Sequence, residues 1–204
     1  MKMIERFSGI FLFAGLLLFS FAVLSLGIIP ALMVDRLHPR QGLPTVVPHE
    51  MKEWYSTVDV YQKALLRGRD LYVREACWHC HSQYVRPVSN ESAYYGPVAT
   101  PGEYQTVLHL PQLLGTRRAG PDLSREAGRH SNDWHLAHLY QPTWVVPESI
   151  MPTYTWYFER DASGVIQPKD DAKALVAYLQ SLGKDFEDAQ YVVEPEDIML
   201  PPGE

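Results

Sequence analysis

The sequence is poor in cysteine: Cys77 and Cys80 are the only two in 204 residues. A small scaffold stapled by several disulfides is therefore excluded. Basic residues are in the minority, with 18 Lys and Arg against 24 Asp and Glu and a formal charge of −6. They form no stripe or cluster, so the electrostatic footprint of a nucleic-acid-binding protein is missing. No repeat or low-complexity tract is present, which excludes solenoids and arrays. Charge of either sign is absent from Phe7 to Val34. What the chain does have is 16 prolines and 13 glycines, a composition that predicts long stretches of loop.

The uncharged run spans 28 positions, residues 7–34, more than the ~20 that cross a bilayer as a helix. A cleaved signal peptide is the competing reading. Its apolar core would be only ~7–15 residues long and followed by a small-residue cleavage site. Here the run ends in Ile28-Ile29-Pro30-Ala31-Leu32 with no A-x-A pattern, so residues 1–36 are read as a retained transmembrane anchor. Flanking charge specifies orientation weakly, since Lys2 and Arg6 are opposed by Arg36 and Arg40. His38 to Glu50 contains Pro39, Gly42, Pro44 and Pro48, and residues 37–56 are expected to form a stiff, extended linker.

Cys77-Trp78-His79-Cys80-His81 is a C-x-x-C-H sequence, the attachment pattern of a c-type haem. The spacing lets both thiols form thioethers with the two vinyl groups at one edge of the porphyrin, and it puts His81 beneath the iron as proximal ligand. Three other uses of these residues ask for something different. A zinc knuckle wants four ligands and this cluster supplies three. A redox dithiol has no need of the histidine and usually sits on a βαβ pattern, absent here. A disulfide between such close thiols would close a small, strained loop. The expected cofactor is one covalent haem c. Because haem c is attached on the outer face of the bacterial inner membrane, the N-terminus is expected in the cytoplasm and the chain from about residue 36 in the periplasm.

On either side of this motif the hydrophobic pattern is helical. Tyr61, Ala64, Leu65, Gly68, Leu71 and Tyr72 recur at i, i+3, i+4, i+7, with Thr57 or Asp59 as cap. Leu175, Tyr178, Leu179 and Leu182 repeat the stripe, opened by Pro168, Asp170 and Asp171 and closed by Gly183. Two such helices bracketing a C-x-x-C-H resemble the class I cytochrome c fold, whose first and last helices cross closely beside the haem; small Gly68 would permit that approach. The expected fold is mainly α, with one transmembrane helix, a haem domain over residues 57–183 and an acidic tail over 184–204. The tail is either a solvated terminus or a surface that steers a basic donor.

Between the helices, residues 82–167 read as a long, turn-rich region. Gly120-Pro121-Asp122-Leu123 resembles the G-P-x-L segment of class I cytochromes, where the proline carbonyl accepts a hydrogen bond from the proximal histidine; an ordinary turn is the alternative for Pro121. Of six methionines, Met1, Met3 and Met33 belong to the anchor region, Met51 precedes the first helix and Met199 lies in the tail. Met151, in a proline-framed loop 70 residues past His81, is the expected sixth ligand. The rivals are His109, His130, His135 and His138, which would give bis-histidine ligation. Ser131 or Asn132 caps a short helix carrying His135 and His138 on one face; these are read as satisfied structural histidines rather than a metal pair. Arg117 and Arg118 either pair with the haem propionates or form a solvated loop face.

Gly68-Arg69-Asp70-Leu71-Tyr72-Val73-Arg74-Glu75-Ala76-Cys77, with His81-Ser82-Gln83-Tyr84-Val85-Arg86-Pro87, resembles the mono-haem subunit II (FixO/CcoO type) of cbb3-type cytochrome c oxidases. Gly120-Pro121-Asp122-Leu123, Asp133-Trp134-His135, His138-Leu139 and Val146-Pro147-Glu148-Ser149-Ile150-Met151-Pro152 add to the match, which covers most of residues 60–183. The resemblance implies a role in electron transport in a respiratory chain. Electrons arrive from a tri-haem subunit or soluble cytochrome, pass one haem c, and continue to haem b of a membrane-embedded haem-b/copper catalytic subunit. By position, Cys77, Cys80 and His81 would attach the haem and Met151 would fill the distal site, leaving the chain non-catalytic on its own. Two departures stand out: Ala76 replaces the family's usual glycine before the first cysteine, and Ala99 replaces a serine. The competing functions are the cytochrome c subunit of a nitric oxide reductase and a free-standing, membrane-tethered cytochrome c carrier.

Overall fold

The computed structural model describes residues 2–34, 42–104, 106–115 and 117–184. The chain divides into two compact units, residues 1–39 and 40–204.

The first unit is helical: α1 (Lys2–Ala22), a wider π-helical turn (Val23–Ile28) and α2 (Ile29–Val34). Pro30 has no N–H to return to Leu26, and just ahead of it the N–H of Ile29 reaches back five residues to the carbonyl of Leu24. Ser8–Leu32, 25 residues, is long and apolar enough to cross a membrane. Its large side chains, among them Phe11, Leu18 and Leu26, are exposed, as befits a helix whose apolar surface faces lipid.

The regular structure of the second unit is mainly helical, set among long loops, with α3 (Val58–Arg74), α4 (Cys77–Cys80), α5 (Glu91–Tyr95), α6 (Asn132–Tyr140), a two-stranded antiparallel hairpin of β1 (Phe158–Arg160) and β2 (Ile166–Pro168), and α7 (Asp170–Leu179). Thr57 caps α3 by accepting from the N–H of Val60, and Ser131 caps α6 by accepting from that of Trp134. The hairpin was not anticipated. It pairs Phe158 with Pro168 and Arg160 with Ile166, and its turn is organised by the Asp161 carboxylate, which accepts from the N–H groups of Ser163 (2.9 Å) and Val165 (3.0 Å).

The core lies where α3 crosses α7. Tyr61, Leu65, Leu71 and Tyr72 from one helix are buried against Leu175, Val176 and Tyr178 from the other. Gly68 stands at the crossing: a Cβ there would lie 2.0 Å from the carbonyl oxygen of Ala174 and 2.7 Å from Cβ of Tyr178. On the surface Arg67 grips Asp171 with two bonds of 2.8 Å.

Over its described part, residues 42–56, the segment expected to form a stiff, extended linker is packed onto the domain. Val47, Met51 and Tyr55 are buried members of the main core, and Met51 is fully enclosed. Gln62 donates to the carbonyl of Pro44 at 2.9 Å, and Lys184 pairs with Glu50 at 2.6 Å. The prolines do keep the segment out of a long helix, but its apolar residues join the core that α3 and α7 form, Tyr55 meeting the Tyr61 ring at 5.7 Å. Residues 37–41 of that linker, and 185–204 of the acidic tail, lie outside the described residues.

Candidate functional site

α3 leads directly into the C-x-x-C-H. Ala76 turns the chain through a left-handed conformation (φ 57°, ψ 29°), after which α4 makes one tight turn. His79 N–H bonds Ala76 O and His81 N–H bonds Cys77 O, both at 2.9 Å. The turn puts the two free thiols on one short helical segment, Cys77 half-buried and Cys80 exposed. Burial pushes the Cys77 thiol up to about 11, with the neighbouring Tyr154 hydroxyl acting in the opposite sense.

The segment after the motif is clamped against Gly120-Pro121-Asp122-Leu123 by a series of bonds. Gly120 N–H donates to Cys80 O at 3.0 Å and Leu123 N–H to Ser82 O at 2.8 Å. Nδ1 of His81 lies 2.9 Å from the carbonyl oxygen of Pro121, so that nitrogen carries the proton and donates. Nε2 is left with its lone pair. Burial pushes His81 below its ordinary value, which keeps the ring neutral. Gly120 faces the ring so closely that a Cβ would come within 2.3 Å of Cε1. Buried Asp122 completes the clamp, accepting from the Ser82 hydroxyl (2.6 Å) and the N–H groups of Tyr84 and Ser124 (both 2.9 Å).

Both long helices hold this clamp. Tyr72 on α3 donates to His81 O at 3.2 Å, and Tyr178 on α7 is bonded to the Gln83 side chain at 2.9 Å. Arg69 on α3 reaches the carbonyls of Leu108 and Leu110, both at 2.9 Å. Gln83 and Arg69, singled out by the motif, are thus fasteners between the ligand loop, the helices and the loop at 106–111.

Met151 sits half-buried in its loop, its N–H donating to the Ser149 hydroxyl at 3.2 Å. It packs against the same core cluster as Cys77, Trp78 and Leu123. Three residues on, Tyr154 is fastened to α6 through Leu139 O at 2.8 Å, and Tyr154, Cys77 and Met151 belong to one hydrophobic cluster, so the methionine loop and the cysteine turn meet. Two thiols on one turn, an imidazole fixed through Nδ1 with Nε2 unprotonated, and a thioether in a neighbouring loop form a donor set that fits a c-type haem.

Arg117 is exposed, and its backbone N–H donates to His79 O at 3.1 Å. Arg118 fits neither alternative weighed for the pair, a haem propionate or a solvated loop face. Its guanidinium is buried in an ion pair with Glu91, donates to the Ser82 hydroxyl (2.7 Å) and Tyr84 O (2.8 Å), and lies over the Tyr95 ring. Burial would push Glu91 up, but hydrogen bonds from Arg86 and Arg118 prevail and hold it at about 2.

Another cluster escaped the sequence reading. Glu126 and His135 are 5% and 4% exposed. Nε2 of His135 stands 3.7 Å from Oε1 of Glu126, and Nε2 of His130 stands 3.9 Å from the same oxygen. Nε2 of His135 has no hydrogen-bond partner among the described residues, so His135 is buried but not satisfied as expected. Burial pushes Glu126 up to about 7 and His135 down to about 4. Trp134 is sandwiched between His130 and His138, at ring separations of 3.7 and 4.8 Å. The i, i+3 spacing of His135 and His138 was the visible signal; Glu126 and His130 come from a loop that spacing cannot place.

No curated protein matches the chain. A family model described as cytochrome c oxidase, mono-heme subunit/FixO, matches residues 2–169. That span runs from the apolar helix through the cysteine turn, the clamp and the Met151 loop to the hairpin, and so takes in each part of the site described above except α7 with its Tyr178. The chain belongs to the FixO family of mono-haem cytochrome c oxidase subunits.

Proposed function

We propose that this chain is the electron-transfer subunit of a respiratory haem–copper terminal oxidase, relaying electrons from a donor cytochrome through one covalent haem c to haem b of the catalytic subunit. The observation that carries the reading is the 2.9 Å bond from His81 Nδ1 to Pro121 O, which leaves Nε2 aimed away from its own backbone as an iron ligand. Cys77 and Cys80 would hold the porphyrin covalently, His81 and Met151 would bind the iron, Pro121 would orient His81, and exposed Arg117 would face a propionate. Bound there, the haem supplies reversible one-electron exchange. With His81 and Met151 both holding the iron, the chain would leave oxygen no place to bind, and oxygen chemistry would fall to the partner. The α3–α7 crossing beside the cysteine turn supports a class I cytochrome arrangement. The apolar N-terminal helix supports a single-pass membrane anchor, and the C-x-x-C-H, whose haem is attached on the outer face of the inner membrane, supports a periplasmic haem domain.

The test is purification of the tagged full chain in mild detergent. Covalent haem seen by intact mass, with co-purification of a multi-span haem-b subunit that contains copper, is the expected result. Purification of the chain by itself as a mono-haem protein would indicate a free-standing carrier instead.

A further inference from the structure

The cluster around Glu126 has the construction of a proton-binding site. Its carboxylate is buried beneath the surface, yet Oε1 lies between one buried imidazole and one exposed imidazole, the His130 side chain being 41% exposed. Separations of 3.7 and 3.9 Å exceed ordinary hydrogen bonds, and a proton or a bridging water would close them. Among the described residues no group of three or more His, Cys, Asp or Glu side chains is placed to hold a metal ion. We infer that Glu126, set between His135 and His130, takes up one proton from solvent when the haem is reduced and returns it when the haem is reoxidised. This rests on the electron-carrier reading above.

The surrounding charges leave Glu126 free to respond. Arg125, its neighbour in sequence, is engaged by Glu103 through bonds of 2.9 and 3.0 Å. Arg129 alone draws Glu126 toward the charged form, and burial outweighs it. From α6 the facing groups are His135 and His138, both held neutral by burial, with Asp133 exposed at the first turn. From the α7 side, Gln180 is uncharged and holds the backbone of His130 (2.7 Å) and Gly128 (2.9 Å), while Lys184 is paired with Glu50.

The link to the haem site runs through α6. His135 and His138 stand on α6, and the next residue, Leu139, accepts through its carbonyl from the N–H of Tyr154 in the methionine loop at 2.8 Å. A ferric haem carries one more positive charge than a ferrous one. That charge stabilises a nearby buried carboxylate, and its loss raises the affinity of the carboxylate for a proton. As one electron arrives from the donor cytochrome, Glu126 gains one proton by way of exposed His130. As the electron leaves for the catalytic subunit, the proton departs. With Glu126 held at about 7 by burial, the exchange falls near neutral pH.

The test uses the full chain in detergent, with covalent haem quantified first. The midpoint potential is measured from about pH 5.5 to 8.5, spanning the ordinary carboxylate and histidine ranges. Wild type should fall with rising pH around neutrality, Glu126→Gln should be level there, and Glu126→Asp should restore the fall. The reduced-minus-oxidised infrared spectrum should show a protonated carboxyl C=O band that moves on glutamate isotope labelling. A flat wild-type potential, or an equal slope in Glu126→Gln, would overturn the proposal and place any proton on the propionates. Should Glu126→Gln fail to hold haem, the label decides on wild type: no shifted band rejects the site. A wild-type chain without haem defeats the functional reading along with this one, whereas a haem-bearing chain with a flat potential defeats this one alone.

Discussion

Gly68 and Ala174 are in backbone contact: a Cβ on the glycine would sit 2.0 Å from the alanine carbonyl oxygen. The obstacle is main chain, which cannot rotate aside as a flexible side chain can. Gly68→Ala must therefore push α7 off α3, at a cost of about 3 kcal/mol. The expected result is a lowered urea midpoint with unchanged helix content in the folded protein. A midpoint equal to wild type would show that the helices are not in contact at this point.

Ala76 adopts φ 57°, a region where a side chain costs roughly 1–2 kcal/mol and glycine is at ease. Ala76→Gly should stabilise the fold by about 1 kcal/mol, the net of relieved strain and greater unfolded-state freedom. Equilibrium unfolding checks it. This position is one at which the chain departs from the glycine usual before the first cysteine, so the substitution restores the common residue.

If Met151 holds the iron, Met151→His should abolish the near-infrared sulfur-to-iron charge-transfer band and lower the midpoint potential. Haem attachment through Cys77 and Cys80 should persist. An unchanged band in the variant would mean that another side chain fills the distal position.

Glu91 is held at about 2 by Arg86 and Arg118 against the raising effect of burial. Its folded value lies below its ordinary 4.5, so its contribution is fully present above about 4.5 and is lost as pH falls toward 2. Glu91→Gln should lower the thermal midpoint at pH 6, and the gap to wild type should narrow steadily between pH 5 and about 2. His135, held at about 4 by burial, weakens both proteins in the same sense between its ordinary 6.5 and 4, so the comparison between variant and parent isolates Glu91. A gap that stays constant with pH would show that the ion pair is unimportant.

Much of the helical framework was readable because its signals are local. The stripes on α3 and α7, the Thr57 and Ser131 caps and the small residue at 68 each concern residues within a few turns of one another. The meeting of His81 with Pro121 came from two short motifs. What escaped depended on distant partners. Met51 follows a proline-rich stretch that reads as a spacer, and its burial depends on core residues distant in sequence. Arg117 and Arg118 are indistinguishable in sequence, yet Glu91 and Asp122 draw only the second inward. Glu126, His130 and His135 share no periodicity, because a loop and a helix supply them separately.

Tyr72 and Tyr178 reach past the hydrophobic interior to touch consecutive stretches of the same short loop, one at residue 81 and the other at residue 83. Their rings meet at 5.5 Å. The imidazole that would face the iron is thereby suspended from two independent struts whose footing is the helix crossing itself. Slackening that footing by a small side chain at position 68 should broaden the visible and resonance signals of the metal centre before the protein unfolds, so that colour reports on packing many residues away.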